Sequence, residues 1–293
     1  MIEAELNRLM NDCLLSSFSK GRCKVKTTAS CDLDHILTYI HQHLYEPLTL
    51  AGLAAKAAYS PYHFTRLFKL RMGISPLYYI SALRLQKAKD LLLRTNYSVR
   101  DIGMEIGQQS LGTFTTRFTE RVGMTPTQFR NSGGEASRQL EALRHLENWQ
   151  PPSHSHPYNT TIRGTVRSDY PLHGVVLIGL FPKPIPEGFP LYGTLISSLG
   201  DFELDNVEPG IYYIMATTIS WGTGAMDMLL PQETLRTRSR EPFIVTSDRE
   251  AQHVDVSLFP PSLSDPPILI SLPLLMNQFL ERFDGGQNML QKG

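Results

Sequence analysis

A run beginning at residue 60 carries side chains that could hold a flat, acceptor-rich edge. In SPYHFTRLFKLRMGISP, from Ser60 to Pro76, helical spacing puts Tyr62, His63, Thr65, Arg66 and Lys69 outside and Phe64, Leu67 and Phe68 inside. An arginine near a helix start can donate two parallel hydrogen bonds in one plane. That fork fits O6 and N7 of guanine, a contact worth about 1–3 kcal/mol of discrimination. The same guanidinium could also meet a phosphate or only solvent.

A second set lies 50 residues downstream. SLGTFTTRFTERVGMTP, from Ser110 to Pro126, repeats Phe64, Phe68, Gly73 and Pro76 as Phe114, Phe118, Gly123 and Pro126. Its outward positions carry Thr113, Thr115 and Thr116, with Thr116 standing where the first copy has Arg66. Hydroxyls and methyls suit thymine contact or phosphate bonding rather than guanine readout. Arg117 occupies the place of buried Leu67, from which it could reach back to a phosphate or snorkel from a partly covered site. Thr49 and Ser98 open the shorter helical runs before each copy. Helix N-termini there would present amides and a positive end to an anion, unless the two residues only cap.

Elements to position these groups can be read around them. Residues 34–45 space Ile36, Leu37, Ile40 and Leu44 along one helical face, and Pro47 stops that helix. LAGLAAKAA follows Thr49, with Leu50, Leu53, Ala54 and Ala57 on one side; Val99, Ile102, Gly103 and Ile106 repeat them after Ser98. Ser60-Pro61 and Ser75-Pro76 pair an N-cap serine with proline at the first helical position, and Gly73 suits a left-handed helix exit. LYYISALRLQKAKDLLLR reads as a long amphipathic helix joining the copies, with Arg84, Lys87 and Lys89 expected on a solvated face. Two short helices and a tight turn, written twice, describe a double helix-turn-helix. Such a pair can set two recognition helices about one DNA turn, ~34 Å, apart.

SPYHFTRLFKLRMGISPLYYISALRLQKAKDLL and IGMEIGQQSLGTFTTRFTERVGMTPTQFR closely resemble the two halves of the AraC/XylS-type DNA-binding domain, over about a third of the chain. The resemblance implies a transcription regulator whose helices from Ser60 and Ser110 enter successive major grooves. Many members of that family carry arginine at the position of Thr116. Double-stranded DNA is the partner implied, with RNA polymerase added if the regulator activates. The expectation is an asymmetric reader, in which the first motif specifies and the second anchors.

The 293 residues have no net charge, but the average hides a split. Residues 32–131 hold 12 Lys/Arg against 7 Asp/Glu, while residues 132–293 hold 11 against 18. A positive part next to a negative one fits a polyanion meeting the first alone. The start of the chain lacks an apolar signal core, and no apolar run has the length of a membrane span, so a cytoplasmic protein without membrane contact is expected. Cys13, Cys23 and Cys31 match no common zinc spacing and read as reduced thiols in a part-helical leader, residues 1–31, with redox sensing as the other reading.

After Arg130, NSGG reads as a flexible break and EASRQLEALRHLENW as a short helix, making 132–159 a partly helical linker. His154 and His156 lack an acidic or thiol companion, and no metal or other cofactor is expected. From residue 160 the texture turns to β: TIRGTVR, GVVLIGLFP, GDFELDNVEPGIYYIMATTIS, PFIVT and QHVDVSLF are strand-like between turn signals. IRGTV with GTLISSLGDFELDNVEPGIYYIMA resembles the carboxypeptidase-regulatory-like or transthyretin-like β-sandwich, and SLPLLMNQFLERF reads as a C-terminal helix. The fold class expected is thus multidomain: an all-α double helix-turn-helix at 32–131, then an all-β sandwich with a terminal helix at 160–293.

The second unit has two readings. As an effector domain it would line a ligand pocket with Tyr212, Tyr213, Trp221, Met226 and Met228, with Arg236, Arg238 or Arg240 meeting an anionic group. As a ligand-free module it would serve dimerisation or protein contact. No nucleophile elbow, phosphate loop or H-E-x-x-H motif occurs, so catalysis is not expected.

Overall fold

The computed structural model describes residues 28–108, 110–147, 149, 160–237, 240–246 and 251–290. Cys13, Cys23, His154, His156 and Arg238 lie outside the described residues, as does most of the expected leader.

Helix α1 (Thr28–Gln42) buries Leu33, Ile36, Leu37 and Ile40, the stripe its spacing dictates. The next six helices each start on a hydroxyl cap, which satisfies amides that have no partner inside the helix. Thr49 Oγ1 accepts from the Gly52 amide at 3.1 Å to open α2 (Leu50–Lys56). Ser60 Oγ accepts from His63 at 3.3 Å to open α3 (Pro61–Met72), and Ser75 opens α4 (Pro76–Arg94). Ser98 opens α5 (Val99–Glu105), accepting from the Asp101 amide at 3.1 Å. Ser110 opens α6 (Leu111–Val122), and Thr125 with Gln128 forms a full capping box on α7 (Pro126–Asn131). Gly73 and Gly123 end α3 and α6 in the left-handed region, at φ 74° and 89°. A side chain there would be strained, which accounts for glycine at both exits.

The repeat extends into three dimensions. Phe64, Phe68 and Tyr79 meet tilted or edge to face in series with ring centroids 5.8 and 5.7 Å apart, and Phe114, Phe118 and Phe129 repeat the series at 5.7 and 5.7 Å. Both trios are wholly buried in one core. Burying each ring is worth about 1.5–3 kcal/mol. Helix α4 touches α3, α5 and α7, so the same helix supports both copies.

The expected break at Asn131–Gly134 is a correction. Helix α8 (Gly133–Arg144) begins on the two glycines, drawn into helix by the stripe Ala136, Leu140 and Leu143, which is buried against the second unit.

That unit holds two four-stranded sheets. In the first, β1 (Thr161–Arg167) pairs antiparallel with β4 (Gly200–Leu204), setting Ile162 opposite Leu204, and runs parallel to β7 (Ala251–His253) and β8 (Val256–Ser257). In the second, β2 (Gly174–Phe181) lies between β3 (Tyr192–Ile196) and β5 (Gly210–Ser220), and β6 (Phe243–Val245) adds to the far side of β5. Every residue of β2 is buried, so both faces of this sheet are covered. Val176, Ile178 and Leu180 meet Ile162, Val166, Phe202 and Leu204 between the sheets. Val175 and Leu177 face the other way, towards α8 and towards Met276 and Phe279 of α10 (Leu272–Leu290). Strand β3 and the short helix α9 (Ala225–Leu229) were not anticipated, being too brief for a period to show.

Two arms from this unit, residues 182–190 and 262–271, lie along the helical one. The Gly188 amide donates to Arg121 O at 2.8 Å and the Ser271 amide to Val122 O at 3.0 Å. Ile185, Leu229 and Leu269 enter the helical core itself. Lys89 corrects the expectation of a solvated face: it is fully buried, and Nζ donates to Ile268 O and Leu269 O at 3.1 and 3.2 Å. Burial pushes its ammonium down to about 7. Arg84 is also engaged, donating to Leu44 O and Glu46 O, and Lys87 pairs with Asp90 at 2.9 Å.

Candidate nucleic-acid interface

On α3, Pro61 and the Ser60 cap fix where the helix begins, and Phe64 and Phe68 fix which side faces in. Tyr62, His63, Arg66 and Lys69 consequently stand exposed, Tyr62 at 80%, and Thr65 is half-buried. Thr65 Oγ1 donates to Pro61 O at 2.8 Å, so its proton is used within the helix. Tyr62, Thr65, Arg66, Lys69 and Leu70 line one shallow groove. The Tyr59 and His63 rings meet at a tilt of 57° with centroids 5.0 Å apart, steadying the imidazole at the mouth of the motif.

The second motif repeats this geometry with different chemistry. Thr113, Thr116 and Arg117 are exposed on α6 and Thr115 is half-buried. Arg117 is solvated rather than snorkelling; Nη1 donates to Gln108 Oε1 at 3.4 Å, back towards the turn before α6. A groove beside it is formed by Arg100, Met104, Gly107, Gln108, Ser110 and Leu111. Arg100 and Gln108 were missed as site candidates. The signal for Arg100 was its place two residues after the Ser98 cap, where an exposed cation faces the helix mouth.

Thr49 and Ser98 sit at equivalent, exposed helix starts, and each spends its oxygen on its own helix. Ser98 Oγ also donates to Asp101 Oδ2 at 2.6 Å. An anion approaching α5 therefore meets the Asp101 carboxylate, whereas α2 has no acidic residue in its first turn. The two turns differ as well: Ala58 is left-handed at φ 57°, and Gly107 takes that role at φ 78° in the longer second turn.

The residues suggested for a ligand are not brought together. Tyr212 is buried between the sheets, its hydroxyl donating to Glu208 O at 2.8 Å, and burial pushes its phenol up to about 12. Tyr213 faces the opposite side of β5, and Trp221 lies half-buried near Trp149 at 6.5 Å. Met228 is buried and Met226 exposed. Of the seven described candidates, Arg236 and Arg240 border one cavity together. Among the described residues no group of three or more His, Cys, Asp or Glu could hold a metal, and no helix is long and apolar enough to cross a membrane.

Residues 53–132 match the family model described as "Helix-turn-helix domain". An HTH-type transcriptional regulator of Bacillus subtilis, YobQ, is 40% identical over 96 residues, covering 33% of this chain and 40% of its own. The bifunctional transcriptional activator/DNA repair enzyme AdaA of the same organism is 38% identical over 112 residues, 37% of this chain and 53% of its own. A solved transcriptional regulator from Chromobacterium violaceum, described as containing an AraC-type DNA-binding domain, is 27% identical, with a TM-score of 0.34 over 36% of this chain and 96% of its own. The chain thus spans about half or less of the length of these two curated relatives, and the family match lies in the helical unit.

Proposed function

We propose that the protein is a sequence-specific, DNA-binding transcription regulator without catalytic activity. Helices α3 and α6 read two adjacent major grooves, and the two-sheet unit carries a regulatory ligand. The observation that carries this reading is the twinned geometry of α3 and α6. Each is capped by serine at its start and glycine at its exit, with polar residues outside and two phenylalanines inside. The match of residues 53–132 to a helix-turn-helix domain and the regulators among the relatives support it.

On this reading the helix-turn-helix is double, spanning 32–131. The two-sheet unit is a sandwich of the carboxypeptidase-regulatory-like kind. Arg66, with Tyr62, His63, Thr65 and Lys69, selects bases. Thr113, Thr115, Thr116 and Arg117 hold backbone and thymine methyls, and Thr49 and Ser98 flank phosphates. The buried bonds from the arms to Arg121 and Val122 favour a ligand signal passing to DNA over a tethered, independent module.

Selection of bound sequences from random DNA, followed by binding of Arg66→Ala and Arg117→Ala to selected and random duplexes, tests the reading. Arg66→Ala should lose the preference for selected DNA, and Arg117→Ala should weaken both alike. Absence of any selected sequence, or equal loss of preference in both variants, would refute it.

A further inference from the structure

We propose that residues 184–188 form a rigid brace that sets the separation and mutual angle of α3 and α6, and so the spacing between the two stretches of DNA they enter. This rests on the DNA-binding reading above and adds to it the part that decides spacing.

Among the described residues α3 and α6 share no packed face, the two motifs being joined through α4. The first arm, PKPIPEGFP at residues 182–190, touches the exits of both. Pro184 lies under Gly73, at the exit of α3: a Cβ on that glycine would come within 2.8 Å of the proline ring. Four residues on, the Gly188 amide holds Arg121 O at the end of α6. Phe189 and Ile270 then close beneath Gly123, 3.3 and 3.0 Å from where its Cβ would stand. Four residues reach at most about 14 Å, so both exits are tied to one short span.

The span is built to resist bending. The Ile185 amide donates to Lys183 O at 2.8 Å and the Glu187 amide to Ile185 O at 3.0 Å. These bonds close two successive three-residue turns, centred on Pro184 and Pro186. The common form of that turn needs a φ of about −75° at its centre, close to where the proline ring already holds it. Between the two turns Ile185 is wholly buried in the helical core. The second arm pins the middle, its Leu269 and Ile270 amides both donating to Pro186 O, at 2.9 and 3.1 Å. Glu187 adds a buried ion pair to Arg121.

Leverage makes this stiffness matter. Each recognition helix has 12 residues and is about 18 Å long. A tilt of about 10° at its exit would move its other end about 3 Å, nearly one base-pair step. A flexible segment in place of the brace would let the second helix wander over neighbouring steps, and binding would then have to order it.

Spin-label distances on the full chain without DNA test the brace. Cys13, Cys23 and Cys31 are replaced by serine, and nitroxides are attached at Leu70→Cys and Glu120→Cys, equivalent exposed positions on α3 and α6. The unsubstituted arm should give one narrow distance distribution. Pro184→Gly with Pro186→Gly should broaden it. So should Pro186→Gly alone, at a half-buried position that spares the contact with Gly73, which guards against loss of folding in the pair. Pro182→Gly, exposed and outside the span, should leave the width unchanged. A broad distribution with the arm intact, or equal widths in all four proteins, would overturn the proposal. In parallel, affinity is compared for a selected duplex of about two turns and for one cut to the half bound by α3. The preference for the longer duplex should fall about fivefold in the double variant, the cost of ordering two residues freed from proline. An unchanged preference would also count against the brace. Failure of every form to bind DNA counts against the DNA-binding reading, and the label distances then judge the brace by themselves.

Discussion

Arg121, in the last turn of α6, is closed against Glu187 of the first docking arm, with 2.5 Å between Nε and Oε2. Both side chains are buried, at 10% and 7% exposure. Around them Arg121 Nη1 donates to Ser81 at 3.0 Å, the guanidinium lies 4.5 Å over the Tyr78 ring, and Lys183 reaches Glu187 at 3.3 Å. Tyr78 donates to the same carboxylate, and burial, reinforced by that bond, raises its phenol. Helices α6 and α4 and the C-terminal unit thus share one polar joint.

Removing one partner of such a pair strands a buried charge. Glu187→Gln or Arg121→Ala should each destabilise the protein by about 3 kcal/mol, whereas Arg121→Met with Glu187→Leu should recover much of the loss. Urea unfolding of the three variants checks this. Equal stability of single and double variants would show that the joint is not a coupled pair.

Lys89 gives a pH dependence of defined sign. Its folded pKa, about 7, lies below that of an unfolded lysine, so the native state binds fewer protons between those values. Stability should therefore rise from about pH 7 towards pH 10 through this group, and fall as the pH drops. Lys89→Met should flatten that part of the profile, read by melting temperature from pH 6 to 9.

Gly123→Ala combines a left-handed backbone with a Cβ 2.9 Å from Leu274 Cδ1. It should cost about 1–3 kcal/mol and weaken DNA binding, because the exit of α6 shifts. Gly134→Ala provides the contrast. That glycine is in α8 with nothing within 4 Å of a Cβ, and alanine should stabilise by about 0.5–1 kcal/mol. Thermal unfolding of the two variants should show opposite signs.

Thr116→Arg places a guanidinium at the exposed position equivalent to Arg66. DNA affinity should rise and its dependence on log salt concentration should steepen by about one unit for the added contact. Titrations at several salt concentrations decide it; an unchanged slope would place residue 116 away from the duplex.

Much of the helical unit was legible because its signals are local. Caps, prolines and glycines mark each end, and the 50-residue echo fixed which phenylalanines face inward. Ala58 was not legible, since alanine does not announce a left-handed turn; the packing of Leu53, Ala54 and Tyr59 imposes it. Lys89 was misjudged for a related reason. Its amphipathic helix offers it to solvent, and only contact with residues about 180 positions away removes the water. A similar distance in sequence hid the contact between Arg240, named only as a candidate for an anionic group, and the Arg71 carbonyl. Tyr212 and Tyr213 are neighbours in a strand and so must face opposite ways, which was legible; that Tyr212 is the one in the core was decided by the sheet packed against it.

The two links from the arms to α6 run backbone to backbone, from Gly188 to Arg121 O and from Ser271 to Val122 O. Neither depends on which side chains stand at those positions. Substitutions along the arms can therefore accumulate without unfastening them, provided no proline replaces either donor. Cutting the chain after α7 would leave those carbonyls bare beside the hollows vacated by Ile185, Leu229 and Leu269. An excised helical fragment would for that reason be poorly soluble and tend to clump, and the protein is best purified and assayed whole.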